Sequence, residues 1–199
     1  RGGHAAKPEM CIDPIPVSTQ IVTAMQQIVS RTISPIDSTV VSVTRINGGT
    51  ADNVIPDKVT IGGTVRTYTD KNRKKAYERI CTIASNLSEA ENCTATVEYT
   101  WGYPTPINTQ PHVDAMCALA DEFYGVGTAV TMEPSMGGED FAYFLEKVPG
   151  CIMYLGVKNP EKGCIYLGHN TKFQIDEDAF EMGVTMMANG ALRFQDLVE

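Results

Sequence analysis

The sequence predicts two parts, an α+β ferredoxin-like domain over residues 1–103 and an incomplete α/β portion over residues 104–199. β-branched residues alternate with a period of two at 38–46 and 59–68, which predicts a pair of strands. Helical periodicity flanks this pair on both sides, and with a short strand at each end the order becomes β-α-β-β-α-β. A Pro-rich stretch at 102–108 is typical of a domain boundary, and strands alternate with helices beyond it.

Each element of the first part has its own basis in the sequence. Asp13 before Pro14 is typical of a helix start, because the carboxylate accepts from free N–H groups and Pro fits the first turn. In the first long strand, alternation places four residues on one face: Val40, Ser42, Thr44 and Ile46. The predicted elements are a strand at 3–7, a helix at 13–33, strands at 38–46 and 59–68, a helix at 70–87 and a strand at 94–101.

The connection between the two long strands, residues 47–57, is too long and too rich in turn-forming residues to be only a hairpin tip. A loop held by two strands can direct polar side chains at a ligand. Asn53 in the loop and Arg66 in the second strand are therefore the first candidates for binding residues.

The part after the boundary has the character of an α/β layer. Its apolar run at 151–157 (CIMYLGV) predicts a strand that is covered on both faces. The strands are too few for a self-sufficient layer, so we expect this part to be loosely packed or to borrow surface from another copy. The predicted elements are a helix from Pro111 to Gly125, a helix from Gly138 to Val148, strands at 151–157 and 164–167, and a helix from Asp176 towards Phe194.

The composition argues against several classes of partner. The net charge of −8 disfavours nucleic acids and anionic membranes, and no apolar run approaches the length of a membrane span. A basic stretch at 71–75 is interpreted as a solvated helix face. Six cysteines without metal-finger spacing predict free thiols in a reducing, cytoplasmic compartment. The chain opens without an initiator Met, and we expect that it was cut from a longer protein.

Three short segments carry candidate site residues. His4 is flanked by Gly and Ala, which leaves its imidazole accessible. His169 follows a short predicted strand, where α/β proteins place site residues, whereas His112 is expected to be merely exposed. Gly137 and Gly138 precede a predicted helix, and free N–H groups there can receive a carboxylate or an oxyanion. For each of these residues, a structural role without a ligand is the alternative.

Six motifs extend over nearly the whole chain. They are GGHAAKP at 2–8 with Asp13-Pro14-Ile15, GGTADNVIPD at 48–57, GTVRT at 63–67, MGGEDFAYF at 136–144, Pro149-Gly150, and LGHN at 167–170 followed by Phe173 and Asp176-Glu177. Their order and spacing resemble the M20 metallopeptidase and amidohydrolase family, especially its branch of N-acyl-amino-acid and hippurate-type hydrolases. Glu9 stands where that branch often has a second His.

The resemblance implies a role for each part of the chain. Residues 1–103 would form a lid domain that dimerises, and residues 104–199 the last part of a catalytic domain that carries two divalent metal ions, expected to be zinc. The family's HxCGHD-like segment and Glu-Glu pair have no counterpart in this sequence, so we expect the isolated chain to be inactive. The site residues implied are His169 as a metal ligand, His4 as a catalytic residue, and Asn53, Arg66, Gly137 and Gly138 as substrate-binding residues.

The expected function is therefore the hydrolysis of N-acyl amino acids or related small amides by a homodimer joined through the lid. The strand at 38–46 falls at a sheet edge in the usual order of this fold, where it can pair with a second copy. Two other functions stay open. The chain can be a non-catalytic dimerisation or binding module, or part of a carboxypeptidase or dipeptidase of the same family.

Overall fold

The structure, a computed structural model, describes residues 1–193. The chain divides into two compact units, Arg1–Thr105 and Pro106–Glu199, whereas the sequence places the boundary at residue 103. The first unit is mixed α/β with two small antiparallel sheets. Phe194, the predicted end of the last helix, lies outside the described residues.

The first helix, α1 (Pro14–Gln27), begins where the sequence predicts. The Asp13 carboxylate accepts a hydrogen bond from the Ile15 N–H at 2.9 Å, which satisfies one of the free donors of the first turn. The helix continues into a π-helical turn, Ile28–Thr32, whose last carbonyl accepts a hydrogen bond from Lys75 Nζ at 2.6 Å. A cation there offsets the partial negative charge of the helix end.

Two long strands, β2 (Thr39–Gly48) and β4 (Val59–Thr67), form an antiparallel hairpin, as predicted. The two strands make up a two-stranded sheet among the described residues. Val41 lies opposite Val65, and this apolar pair faces the helices. Cross-strand pairs of β-branched residues stabilise such a sheet by up to about 1 kcal/mol each.

A β-bulge interrupts the alternation of β2. The register shifts by one residue between Val43 and Arg45, which leaves Thr44 as the extra residue. Ile46 therefore lies opposite Ile61, on the same face as Val43. The prediction that Ile46 shares a face with Val40 is wrong, because a period-two pattern cannot show where a residue is inserted.

The core of the first unit lies between one face of the hairpin and the helices α1 and α2 (Asp70–Ala90). Thr69 caps α2 by accepting a hydrogen bond from the Asn72 N–H at 3.2 Å. Ile28 is completely buried, and burial of a side chain of this size stabilises the fold by about 1.5–3 kcal/mol. The buried cluster consists of Val17, Ile21, Met25, Ile28, Ile33, Ala76 and Ile83.

A second, smaller sheet attaches the start of the chain to the loop between the long strands. β1 (Gly3–His4) pairs antiparallel with β3 (Val54–Ile55). The Gly2 N–H donates to Asp57 Oδ1 at 2.8 Å and continues the attachment beyond the ladder. The strand predicted at 3–7 is thus shorter than expected and pairs with the loop rather than with the hairpin. Its partner is set by tertiary contacts that local sequence does not encode.

The last strand expected for the sheet, 94–101, is not a strand among the described residues. Val97 and Tyr99 are half-buried between exposed neighbours, so the alternating pattern correctly indicates which side chains face inward. The backbone, however, does not pair with another strand. Tyr99 and Trp101 pack on Tyr77 of α2, with ring centroids at 4.9 and 5.4 Å. Such aromatic pairs stabilise by about 0.5–1.5 kcal/mol and hold the segment on the helix instead. A complete ferredoxin-like sheet is therefore not confirmed.

The close approach of β2 and β4 requires a glycine at position 63. A Cβ there would lie 2.1 Å from the Ser42 carbonyl oxygen, which belongs to the backbone and cannot rotate away. We expect Gly63→Ala to lower the free energy of unfolding by about 2–3 kcal/mol. Gly102→Ala is the matched control, because no atom lies within 4 Å of a Cβ at that position. Urea denaturation measures both variants, and equal midpoints would contradict this prediction.

The second unit contributes α3 (Gln110–Tyr124), α4 (Ala142–Leu145) and α5 (Ala179–Leu192) to the described part of the chain. α3 ends as predicted at Gly125, whose φ of +94° favours glycine. α4 is a single turn within the helix predicted over 138–148, so the helix is formed but is much shorter than predicted. Two consecutive glycines before it raise the entropic cost of starting a helix, and the chain forms turns instead.

His112, which the sequence predicts to be exposed, is buried on α3. The segment around Gly150 docks onto the start of this helix, where the Thr109 N–H donates to the Gly150 carbonyl at 2.8 Å. Cys151 Sγ donates to the His112 carbonyl at 3.5 Å. The helix start is thus covered by a segment that is remote in sequence, which explains why the prediction is wrong.

The strand predicted at 151–157 is not formed within residues 1–193. The segment is held at its two ends. At one end, the Ile152 N–H donates to Asn108 Oδ1 at 2.9 Å, and Asn108 Nδ2 donates to the Ile152 carbonyl at 3.1 Å. At the other end, the Asp176 N–H donates to the Val157 carbonyl at 2.9 Å. A strand buried on both faces needs neighbouring strands for its N–H and C=O groups. The described residues do not supply those neighbours.

The short strand predicted at 164–167 is reduced to one bridge between Asn159 and Cys164. A 3-10 turn, Pro160–Lys162, connects the two residues, and Gly163 returns the chain with a φ of +77°.

Two expectations from composition concern both units. All six cysteines are free thiols, as predicted. Within residues 1–193, no helix combines the length and the apolar character needed to cross a membrane.

Candidate functional site

The ladder of β1 and β3 brings two predicted site residues to adjoining positions. His4 lies opposite Val54, and the Ala5 N–H donates to the Asn53 carbonyl at 3.0 Å. Both the His4 and the Asn53 side chains are exposed. The sequence indicates each residue separately, but it does not predict the ladder that joins them, with Asp57 at its end.

The backbone around His4 selects its tautomer. The Ala6 N–H donates to His4 Nδ1 at 3.1 Å. A ring nitrogen that accepts a hydrogen bond carries a lone pair, so the neutral imidazole holds its proton on Nε2. His4 can therefore offer Nε2–H as a donor to a ligand.

Arg66 lies near the far end of β4, away from the loop that carries Asn53. It pairs with Val40, on the face of the hairpin opposite to the helices, and its side chain is exposed. The guanidinium Nη1 donates to the Val65 carbonyl at 3.0 Å. At 3.3 Å per residue, about 23 Å of strand separates Arg66 from Val59, where the loop ends. The structure does not bring Arg66 together with His4 and Asn53.

Gly137 and Gly138 lie in an irregular segment before the turn that leads into α4. Both are exposed. A Cβ at Gly137 would meet only the Ser135 hydroxyl oxygen at 3.5 Å, an ordinary contact. The fold of the described residues therefore does not require a glycine at 137. The expected helix N-terminus is absent here, because α4 begins only at Ala142.

His169 occupies an exposed turn in an uncommon backbone conformation. Its φ is +66°, in the left-handed region that residues other than glycine adopt only rarely. The Asn170 N–H donates to the Leu167 carbonyl at 3.2 Å, and Asn170 Oδ1 accepts from the Lys172 N–H at 2.9 Å. Strained residues held by local hydrogen bonds are enriched at functional sites, which favours a functional role for His169.

The described residues do not form a metal centre by themselves. Among residues 1–193, no group of three or more His, Cys, Asp or Glu side chains is arranged to hold a metal ion. A zinc site in proteins takes at least three protein ligands. His169 can therefore serve as a metal ligand only together with residues beyond those described here.

An ion cluster that the sequence did not predict lies just before α5. Lys162 Nζ donates to Asp176 at 2.7 Å and also to Asp178, and Asn159 Nδ2 donates to Asp176 at 2.6 Å. The hydrogen bonds from Lys162 and Asn159 hold the pKa of Asp176 below its ordinary value, and the two carboxylates raise the pKa of Lys162. The sequence pattern indicates only that Asp176 and Asp178 lie at the start of a helix. It does not show that they pair with Lys162, which lies 14 and 16 residues earlier in the chain.

The lowered pKa of Asp176 gives a pH-dependent contribution to stability. The contribution is complete above the unfolded value of 3.8 and is lost as the pH falls through the lower folded value. We expect Asp176→Asn to lower the melting temperature by roughly 2 °C at neutral pH, and less below pH 3.8. Glu177→Gln, the neighbouring acid, is the control. A decrease for Asp176→Asn that does not shrink in acid would contradict this account.

Comparison with known proteins places these residues in a family. The model of peptidase family M20/M25/M40 matches residues 8–193. The thermostable carboxypeptidase 1 of Saccharolobus solfataricus is 36% identical over 197 residues, which cover 98% of this chain and 49% of that protein. The IAA-amino acid hydrolase ILR1-like 4 of Arabidopsis thaliana is 32% identical over 198 residues, which cover 98% of this chain and 45% of that protein.

A solved structure has the same fold. The YXEP protein of Bacillus subtilis, described as a dinuclear metal binding peptidase from the M20 family, superposes with a TM-score of 0.73 at 28% identity, over 94% of this chain and 47% of that one. The chain thus spans about half the length of the proteins that it matches. Because the family model matches nearly all of its residues, the chain belongs to peptidase family M20/M25/M40.

Proposed function

We propose that this chain is part of a longer protein, a metal-dependent amidohydrolase that cleaves the amide bond of N-acyl amino acids or related small amides. The names of two relatives, an IAA-amino acid hydrolase and a carboxypeptidase, support hydrolysis of amide or peptide bonds. The observation that carries the proposal is the ladder that holds His4 beside Asn53. Both side chains are exposed, where they add little to the core but can meet a ligand.

His4 and Asn53 would stabilise the charge that develops during hydrolysis. When water adds to an amide carbonyl, its oxygen becomes negatively charged. The His4 Nε2–H and the Asn53 amide can both donate to that oxygen. A single donor of this kind typically accounts for about 10²–10³ in rate, or about 3–4 kcal/mol of the barrier.

Arg66 would bind the other end of the substrate. Its guanidinium can hold the free carboxylate of an N-acyl amino acid through two parallel hydrogen bonds. Gly137 and Gly138 would line the pocket. Since the fold leaves room for a side chain at Gly137, a small residue there suits the close approach of a substrate.

His169 would be the ligand that this chain contributes to a site for two divalent metal ions, which we propose to be zinc. Its exposed ring in a left-handed turn supports that role. Bound ions of this kind polarise a carbonyl and lower the pKa of a bound water. The remaining ligands and the general base would lie outside these residues.

Each of the two parts of the chain would have its own role in the longer protein. Residues 1–103 would form a ferredoxin-like lid that pairs with the lid of a second copy, and residues 104–199 the last part of the catalytic domain. β4 is the neighbour of β2 in its sheet, so the opposite edge of β2 can pair across a two-fold axis. The free cysteines support a reducing, cytoplasmic compartment.

The test compares the longer protein with the isolated 199-residue chain. We expect the longer protein, supplied with zinc, to release the amino acid from N-acetyl and N-benzoyl amino acids, and the isolated chain to release none. In the longer protein, Asn53→Ala should lower kcat by about 100-fold, whereas Asn47→Ala at the end of β2 should not. Hydrolysis by the purified isolated chain would contradict the proposal. So would a longer protein that hydrolyses no acylated amino acid, a result that would favour a binding module.

A second candidate is a carboxypeptidase or dipeptidase, favoured by the 36% identity to a carboxypeptidase. The same residues would serve, since Arg66 would bind the C-terminal carboxylate of a peptide. The two candidates differ in the group on the other side of the amide bond. A panel of N-acyl amino acids and dipeptides with the same C-terminal residue separates them by kcat/KM.

A further inference from the structure

The ladder that places His4 is short. β1 and β3 pair through two residues each, Gly3 with Ile55 and His4 with Val54. A ladder of this length is marginal by itself in water, because few hydrogen bonds offset the entropy that both segments lose on ordering. A slip of β1 by one residue along β3 would also turn the His4 side chain to the other face of the sheet. The position of His4 therefore depends on contacts outside the ladder.

Two glycines restrict the register of β1 by their close approach to other atoms. A Cβ at Gly2 would lie 2.4 Å from a backbone carbonyl oxygen of β3, and a Cβ at Gly3 would lie 2.7 Å from Cys11 Sγ. Neither distance leaves room for a side chain unless a neighbour shifts. A slip in one direction would bring Arg1 to the place of Gly2, and a slip in the other would bring His4 to the place of Gly3. The two glycines thus oppose a slip in either direction.

Asp57 fastens β1 in this register. Its Oδ1 accepts a hydrogen bond from the Gly2 N–H at 2.8 Å, across 55 residues of chain. A carboxylate is a stronger acceptor for an N–H group than a neutral oxygen is. The Ile12 N–H donates to the Arg1 carbonyl at 2.8 Å, which gives the start of the chain a second attachment. Asp57 is exposed, so its side chain adds little to the hydrophobic core.

We propose that Asp57 is a positioning residue for His4. By holding the Gly2 N–H, its carboxylate keeps β1 in the register that places His4 next to Asn53. The inference rests on the proposed function, in which the His4 Nε2–H donates to the oxygen that becomes negatively charged during hydrolysis. A misplacement of such a group by about 1 Å can cost about 100-fold in rate, so loss of the hydrogen bond from Gly2 to Asp57 should lower kcat.

Substitutions of Asp57 in the longer protein test this role. We expect Asp57→Ala to lower kcat by about 10–100-fold and to change KM by less than about threefold, since His4 acts on charge that develops in the transition state. Asp57→Asn should stay within about threefold of the wild-type kcat, because the amide Oδ1 can still accept from the Gly2 N–H. Asp37→Ala, at an exposed acid in the turn before β2, is the matched control and should leave kcat unchanged. Equal losses in Asp57→Ala and Asp57→Asn would overturn the proposal.

A double-mutant cycle separates positioning from stabilisation. When His4 is already replaced by Ala, Asp57→Ala should lower kcat by less than about threefold, because the ring that Asp57 positions is gone. A residue that only stabilises the fold would lower kcat by the same factor in both backgrounds. Equal factors would therefore overturn the proposal.

Hydrogen exchange tests the attachment of β1 without any turnover. In the 199-residue chain, the Ala5 N–H donates to the Asn53 carbonyl at 3.0 Å. This amide should exchange at least about 10-fold faster in Asp57→Ala than in the wild type or in Asp57→Asn. The amides of α2 should exchange equally in all three proteins and serve as the internal reference. A longer protein without hydrolase activity would remove the proposed function but not this readout. Equal exchange of the Ala5 amide in all three proteins would overturn the placement of β1 by Asp57, whatever the activity.

Discussion

His169→Gly in the longer protein is expected to abolish amide hydrolysis without destabilising the fold. His169 has a φ of +66°, and a residue with a side chain costs about 1–2 kcal/mol in this conformation. Glycine removes that cost but adds about 0.5–1 kcal/mol of backbone entropy to the unfolded chain. The two effects nearly cancel, with a small net gain in stability. His169→Ala would keep the unfavourable backbone conformation, so a loss of activity could then come either from the lost imidazole or from lower stability.

The loss of activity should be accompanied by a loss of metal. We expect kcat/KM to fall at least about 100-fold, since even residues that merely orient a metal ligand contribute 10–100-fold. Elemental analysis should show a reduced zinc content after dialysis. Lys172→Ala, in the same turn, is the control, because the Lys172 side chain lies over Tyr166 rather than near an expected ligand position. Normal turnover and zinc content in His169→Gly would leave His169 with a structural role.

The helices and the hairpin were predictable because local sequence determines them. The cap at Asp13, the apolar spacing along α1 and α2, and the glycine after α3 each act within a few residues of the element that they shape. The alternation of Val41, Val43 and Val65 likewise reports the buried face of the hairpin. These local features predict the elements correctly because the tertiary contacts stabilise the same conformations.

Elements that depend on a distant partner were not predictable. The segments 94–101 and 151–157 have the pattern of strands, but a strand also needs a paired edge, which no local pattern supplies. The bulge at Thr44 and the pairing of β1 with the loop are set by the same kind of contact. The burial of His112 follows from a segment that docks from elsewhere in the chain.

The candidate site shows the same division. The residue pattern indicated His4, Asn53 and His169 as single positions, and the family resemblance supplied their roles. The ladder that joins the first two, and the left-handed turn that holds the third, depend on backbone geometry that the motifs do not describe. The separation of Arg66 from the loop along β4 is equally invisible in the motif GTVRT. That separation leads to the second large effect that we expect.

Mixing two inactive variants of the longer protein should restore about one quarter of the wild-type activity. About 23 Å of β4 lies between Arg66 and the start of the strand, beyond the reach of an N-acyl amino acid. One substrate can meet Arg66 as well as His4 and Asn53 if the last two come from a second copy. A subunit with Asn53→Ala would then keep a usable catalytic half, and a subunit with His169→Gly would keep a usable loop.

The expected fraction follows from random pairing. Equal amounts of the two variants give mixed dimers in about half of the population, and each mixed dimer has one intact site out of two. The mixture of Asn53→Ala with His4→Ala is the matched control. Both changes fall on the loop end, so every site would receive a defective loop and no activity should return. Exchange of subunits can be followed by sedimentation with a tagged copy. If exchange is complete and the first mixture stays inactive, each loop serves its own subunit, and the lid must bend far enough to close the distance along β4 within one copy.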